Sequence, residues 1–257
     1  MANDLDSKRA AFRSLHDEGC FVLPNPWDLG SLRRLEELGF AAVASTSSGL
    51  AWSLGREDGE VGRDDVLKHL EVLCESTRLP VNADFEAGFA DRSEEVEANV
   101  LLAVETGVAG LSIEDRTGGE LYELSRAVER IEASREAIDR SGADVILVGR
   151  SEGFLIGRTD IDATVERLTA YAKAGADCLY APGIRDPAHI EAVVAAAAPK
   201  PVNVLLFGPD MRVEDLAALG VRRVSVGGCL ARAAWAGFEE AARSLRDRGV
   251  LPAPCFR

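Results

Sequence analysis

Eight short apolar runs, each followed by an amphipathic stretch, recur along this 257-residue chain, and that rhythm limits its fold more than any other feature. The runs fall at residues 20–23, 41–44, 79–83, 110–113, 145–148, 178–180, 202–205 and 223–226. The amphipathic stretches occupy 29–38, 64–76, 93–105, 124–140, 161–174, 187–197, 213–219 and 230–248. Strands apolar from end to end belong in a parallel sheet covered on both faces. The helix-to-strand joints LGFAAV, TGVAGL, SGADVI, AGADCL and LGVRRV each place a Gly where a left-handed residue stops a helix. Eight such units in this length predict an α/β fold, a (β/α)8 TIM barrel, rather than an open doubly wound sheet. Helical spacing over residues 4–18, stopped by Gly19, adds an N-terminal helix. With 47% hydrophobic residues and no linker or low-complexity segment, residues 1–257 are expected to form one barrel domain.

In such a barrel the chemistry belongs at the C-terminal ends of the strands, and this rule sorts the polar residues. Strand 1 ends in Asn25, Pro26, Trp27 and Asp28, and strand 2 in Ser45, Thr46, Ser47, Ser48 and Gly49. Strand 3 ends in Asp84 and Glu86, strand 4 in Glu114 and Asp115, strand 5 in Arg150 and Glu152. Strand 6 gives Pro182 and Gly183, strand 7 is flanked by Asn203, and strand 8 gives Gly227 and Gly228. Acids on neighbouring strands with one Arg beside them indicate a site for a cation and something anionic.

Asp84 and Glu86, two apart at a strand end, are expected to point to the same side. Close carboxylates without a basic residue between them repel unless a proton or cation joins them. Hard oxygen donors of this kind suit Mg²⁺, which keeps several waters and needs only one or two carboxylates. Glu114 joins them as a candidate ligand, and Asp58, in the loop after strand 2, could act through water. The alternative is that Asp84 or Glu114 caps the next helix. Ser48, Gly49 and Leu50 read either as a backbone cradle for a carboxylate or as a plain turn. Arg150 closes an apolar strand and must be paired, with Glu114 and Glu152 or with a substrate anion. Gly227-Gly228 reads as a phosphate site or as a tight turn, and Asp64, Asp91 and Asp160 as helix caps or first-turn acids. His16, His69 and His189 fall on helices away from the strand ends, so a mechanism without a His base is expected.

The net charge of −14 argues against nucleic-acid or anionic-membrane surfaces as partners. Five cysteines without a CxxC pair suit a reducing compartment. The N-terminus lacks a signal-peptide pattern, and no apolar run nears the ~20 residues of a membrane span. A cytoplasmic location is expected.

The ordered motifs NPWD, STSSGL, Asp84-x-Glu86 with Gly88-Phe89, GVAGLSIED, VGRSEGFLIGRTD and ERLTAYAKAGAD carry a resemblance. Over about residues 21–237 they resemble the isocitrate lyase/phosphoenolpyruvate mutase superfamily. The resemblance implies a Mg²⁺-dependent barrel that makes or breaks C–C or P–C bonds in 2-oxo or 2-hydroxy carboxylates. It implies that Asp84 ligates Mg²⁺ directly while Asp58, Glu86 and Glu114 hold its waters. Ser48, with the Ser48-Gly49-Leu50 backbone, would grip the substrate carboxylate, Arg150 would contact the carboxylate or oxo oxygen, and Asn203 completes the substrate-binding set. It also implies a homo-oligomer, dimer or tetramer, with a swapped C-terminal helix.

The chemistry agrees: a 2-oxo acid chelates Mg²⁺ through carboxylate and keto oxygens, and cleavage beside the carbonyl leaves an enolate that Mg²⁺ and Arg150 stabilise. The departures narrow the activity. Lyases of this superfamily carry a Lys-Lys-Cys-Gly-His loop after the strand-4 acids, where this chain has EDRTGGELYEL. Phosphonopyruvate enzymes use Lys and Asn from a longer loop there, and here Arg116 is the cation on offer. The reading is a Mg²⁺-dependent C–C lyase or hydrolase acting on a small 2-oxo (di)carboxylate such as oxaloacetate, with Ser48, Glu114 and Arg150 as its catalytic groups. The alternatives are phosphonopyruvate mutase or hydrolase chemistry, an oxo-acid-binding homologue reduced in catalysis, and a phosphate-binding barrel resting on Gly227-Gly228.

Overall fold

In the computed structural model, which describes residues 2–256, the predicted alternation becomes a ring of parallel strands. Helix α1 (Ala2–Ser14) precedes β1 (Phe21–Leu23), α2 (Leu29–Glu37) and β2 (Val43–Ala44). Then come α3 (Ser47–Ser53), α4 (Arg63–Ser76), β3 (Val81–Asp84), α5 (Ser93–Glu105) and β4 (Gly110–Glu114). A small hairpin, β5 (Arg116–Thr117) and β6 (Glu120–Leu121), leads to α6 (Leu124–Ser141) and β7 (Ile146–Arg150). The chain continues through α7 (Ile161–Lys173), β8 (Cys178–Tyr180), α8 (Pro187–Ala197) and β9 (Val202–Leu205). Then follow α9 (Val213–Ala218), β10 (Arg223–Ser225) and α10 (Cys229–Arg248), with one 3-10 turn (Ala253–Phe256) after it. The sheet order is β1-β10-β9-β8-β7-β4-β3-β2, all parallel. Between its two ends the Ala44 N–H donates to Pro24 O at 3.0 Å and Asn25 Nδ2 to Ser45 O at 2.8 Å. These bonds bring the ring nearly to closure, and the fold is a (β/α)8 barrel.

Helix α3 and the β5–β6 hairpin lie in stretches read as loops. Both are short, and α3 is set by a local cap, the Thr46 side chain accepting from Gly49 N–H, rather than by an apolar stripe. Asp28, by contrast, caps α2 in a full capping box with Ser31, so the strand-1 motif doubles as a helix start.

The larger core fills the space between strands and helices, with Leu70, Val100, Ile131, Tyr171 and Leu179 essentially sealed. A second cluster fills the barrel's lower interior: Phe12, Leu23, Ala42, Ala44, Ala109, Ile146, Val148, Cys178 and Tyr180. Phe12 reaches it from α1, which closes the end opposite the predicted site. Gly110 makes room for this plug, since a Cβ there would stand 2.7 Å from both Phe12 Cε1 and Asn82 Oδ1. Arg9 ties α1 down by donating to Val108 O and Val104 O at 3.1 and 3.0 Å.

His16 is buried beside this plug, and burial, reinforced by Arg223, pulls its pKa down to about 3. A neutral His in the fold that ionises in the unfolded chain stabilises fully above pH 6.5, and that stabilisation is lost as pH falls from 6.5 towards 3. The full effect is about 5 kcal/mol. His69, drawn down by burial to about 4, acts in the same direction. Urea denaturation from pH 7 to 4 should therefore show stability falling steadily, with a shallower fall in His16→Gln. Equal slopes for the two proteins would contradict the assignment.

Helix α10 departs from the pattern of the others: of its 20 residues only Ala231 and Ser244 are buried. Leu230, Trp235, Phe238 and Leu245 lie open on it, with Phe238 64% exposed. Among the described residues all five cysteines are free. No helix there is long and apolar enough to cross a membrane.

Candidate active site

The strand-end rule brings the expected groups to one mouth of the barrel. A pocket of about 440 Å³ opens there, lined by Asp84, Asp58, Ser48 and Arg150 among others. That volume suits a small ligand. Arg150, the last residue of β7, donates from Nη1 to Asp84 Oδ1 at 3.1 Å and pairs with Glu114 Oε1 at 3.0 Å. Its Nε donates to Glu152 Oε1, and its guanidinium lies over the Tyr180 ring, 5.1 Å from the centroid. The Nη2 group makes no hydrogen bond among the described residues, leaving one donor edge for a ligand. The other Asp84 oxygen, Oδ2, accepts from Ser47 N–H at 3.0 Å, which locks the carboxylate against the start of α3.

The electrostatics follow from three acids around one cation. Burial lowers the Arg150 pKa, but Glu114, Glu152 and Asp84 outweigh it and hold the guanidinium well above its ordinary value. Burial raises Glu114 well above the carboxylate range, with Glu152 and Asp84 crowding it further against the pull of Arg150. Glu86 is pushed up to about 7, first by burial and then by Asp84 and Asp58.

Asp84 and Glu86 do come close, but not by strand alternation. The strand stops at Asp84, and Glu86 sits in the left-handed region at φ +45°. A side chain in that backbone state is uncommon. Its carbonyl accepts from Glu114 N–H at 2.9 Å, which fixes the turn to β4, while its own Oε1 is buried without a partner. Glu86 and Glu114 flank the pocket from behind rather than lining it. Neither Asp84 nor Glu114 caps a helix: the caps of α5 and α6 are Arg92 and Glu123.

Ser48, Gly49 and Leu50 form the first turn of α3, not an open loop. Gly49 N–H donates to Thr46 Oγ1 at 3.3 Å and Leu50 N–H to Thr46 O at 3.0 Å, so Ser48 is the one of the three that lines the pocket. Gly49 is a packing residue, since a Cβ would meet Thr46 Cγ2 at 2.6 Å and Trp27 Cβ at 2.9 Å. Gly49→Ala should cost about 1–3 kcal/mol and weaken substrate binding by displacing Ser48. A thermal unfolding curve and a KM identical to wild type would refute this. Gly227 N–H is taken by Asn25 Oδ1 at 2.9 Å, and a Cβ on Gly228 would strike Ser48 Oγ at 2.7 Å. That pair makes a tight turn beneath α3.

Asn203 lies deeper, its Nδ2 donating to Ser225 Oγ at 3.0 Å. Asp160 caps α7 and Asp64 is a first-turn acid of α4. Among the described residues no histidine lines the pocket. Tyr180 ends an apolar strand, so the same rule marks it, but an aromatic there reads as core. Arg223 starts its strand, where the rule expects only structural residues.

A cation fits this donor set in one way. Among the described residues no three His, Cys, Asp or Glu side chains stand close enough to hold a metal directly. Hard carboxylates at Asp84, Asp58 and Glu86, one with an orphaned buried oxygen, suit an ion that keeps its waters, as Mg²⁺ does.

A (β/α)8 barrel with carboxylates and a buried arginine at its strand ends has the layout of an enzyme site for an anionic ligand. The family model for phosphoenolpyruvate phosphomutase matches residues 12–246, and the chain belongs to the phosphoenolpyruvate mutase/isocitrate lyase superfamily. The oxaloacetate decarboxylase of Pseudomonas aeruginosa is 30% identical over 229 residues, covering 84% of this chain and 77% of that protein. A candidate lyase/mutase from Burkholderia cenocepacia J2315 superposes with a TM-score of 0.93 at 45% identity, covering 96% of this chain and 91% of that one. Oxaloacetate acetylhydrolase in complex with its product oxalate gives a TM-score of 0.89 at 26% identity, covering 97% and 90%.

Proposed function

We propose that this protein is a Mg²⁺-dependent C–C bond lyase or hydrolase acting on a small 2-oxo (di)carboxylate such as oxaloacetate. The observation that carries it is the Asp84–Arg150 pair at 3.1 Å, set in a pocket also lined by Ser48. The Ser48 hydroxyl and N–H hold the substrate carboxylate. Arg150 Nη2 faces the oxo oxygen and stabilises the negative charge that grows there as the adjacent C–C bond breaks. Asp84 would hold the metal, with Asp58, Glu86 and Glu114 holding its waters. When bound, Mg²⁺ supplies an electrophile for the carboxylate and keto oxygens. Glu114 and Glu152 keep Arg150 charged and in place.

The β5–β6 hairpin offers no Cys, His or Lys to protonate a departing carbanion, and its Arg116 Nε lies 3.7 Å from Glu152. Decarboxylation needs no such acid: CO₂ leaves, the bond electrons pass to the enolate, and water returns the proton. This favours oxaloacetate decarboxylation over isocitrate-type cleavage, whereas hydrolysis to oxalate and acetate also expels a carbanion and draws its proton from water. P–C chemistry on phosphonopyruvate is the second reading, favoured by the phosphomutase family match.

The bare apolar side of α10 supports a homo-oligomer in which this helix packs on a partner copy, and the free cysteines support a cytoplasmic location. Calorimetric titration with oxalate, an enolate mimic, tests the site. Binding is expected with Mg²⁺ and not with EDTA; equal binding in both would overturn the reading.

A further inference from the structure

Below the acid-lined mouth the pocket changes character. Arg223, the first residue of β10, lines the same cavity at 2% exposure. Its Nε donates to Asn203 Oδ1 at 3.0 Å, and Nη1 reaches Asn82 Oδ1 at 3.3 Å and His16 Nε2 at 3.5 Å. All of these partners are neutral. Among the described residues Arg223 forms no ion pair, and its Nη2 makes no hydrogen bond. A buried guanidinium without a counter-ion is costly, because the interior offers it neither water nor an opposite charge. Arg150, at the other end of the pocket, has three carboxylates.

The strand register links the two cations. Arg150 pairs with Tyr180, Tyr180 with Asn203, and Asn203 with Arg223 across β7, β8, β9 and β10. Arg150 and Tyr180 end their strands while Arg223 begins its own, so this row descends from the mouth into the barrel. With strands about 4.8 Å apart and tilted about 36°, three steps drop roughly 8 Å. Tyr180 bridges the levels: its ring carries Arg150 and its hydroxyl lies 3.5 Å from Ser225 Oγ. The lower level thus presents hydroxyl and guanidinium donors and no acid.

We propose that this level is a second anion subsite, in which Arg223, with Tyr180 and Ser225, receives the carboxylate of a dicarboxylate that lies away from the reacting 2-oxo acid. The inference rests on the oxo-acid reading of the mouth and deepens it, selecting dicarboxylates over monocarboxylates. A purely structural role for Arg223, bracing α1 through His16, is the competing account, and the two differ in what they do to ligands of different length.

Oxalate, malonate, succinate and glutarate would be titrated calorimetrically, with Mg²⁺, into wild type, Arg223→Gln and Arg223→Lys. Arg223→Gln should weaken the longer dicarboxylates at least tenfold while oxalate binding stays within twofold, and Arg223→Lys should restore most of the loss. If oxalate and its homologues weaken together, or none weakens, the subsite is refuted. Wild-type crystals soaked in bromide give a readout that no variant's folding can disturb. Bromide beside the Arg223 guanidinium supports the subsite, and its absence at high bromide overturns it. Failure of wild type to bind oxalate with Mg²⁺ would instead sink the reading of the mouth.

Discussion

Asp84→Asn should lower turnover at least about 10³-fold and abolish Mg²⁺-dependent oxalate binding, while the protein stays folded. Asp84 lines the pocket, yet of the three acids around Arg150 it contributes least to holding the guanidinium charged. Without it Arg150 keeps Glu114 and Glu152, and one source of repulsion on Glu86 disappears. Of the two bonds Asp84 accepts, the asparagine oxygen keeps the one from Ser47 N–H and the one from Arg150 is lost. The expected stability change is within about 1 kcal/mol. Loss of activity with an unchanged urea midpoint is the predicted pattern. Retained activity would remove Asp84 from the site, and loss of folding would mean that its role is structural.

The opposite pattern is expected of Arg150→Met. Three carboxylates, with Glu152 fully buried and Glu114 6% exposed, would lose the cation that pairs with all of them. Breaking a buried ion cluster from one side costs about 3–5 kcal/mol, which for a chain of this size lowers Tm by roughly 10 °C. The sign with pH is defined. Acids deprived of Arg150 titrate higher in the folded state than in the unfolded one, so the fold binds more protons and loses stability as pH rises above the ordinary carboxylate range. The gap between wild type and Arg150→Met should narrow towards pH 5 and widen towards pH 8. Differential scanning calorimetry at both values checks this, and a pH-independent gap would contradict it.

Most of the frame could be read from the sequence because the barrel repeats one rule eight times. Helices α5 and α8 and strands β8 and β9 begin and end where the apolar pattern predicts. The strand-end rule likewise gathered Asp84, Glu114 and Arg150, which depend only on which strand end carries which residue. Features set by single atoms in three dimensions were harder to read. Glu86 leaves the strand alternation because its backbone turns left-handed, a choice no side-chain pattern encodes. Ser48-Gly49-Leu50 belongs to a helix of one to two turns whose cap, Thr46, looks like any loop threonine. Arg223 was hidden in a joint motif, LGVRRV, whose apolar neighbours mark it as strand. Its meaning depends on the absence of an acid nearby, and only the assembled barrel reveals that.

The central claim is that this pocket cleaves a 2-oxo dicarboxylate with help from a metal. The most direct test follows oxaloacetate by NMR with purified protein, first with Mg²⁺ and then with EDTA, against a Mg²⁺-only blank. The account predicts metal-dependent loss of oxaloacetate above the blank, with pyruvate marking decarboxylation and oxalate plus acetate marking hydrolysis. Oxaloacetate that decays no faster than the blank, while phosphonopyruvate is consumed under the same conditions, would contradict it.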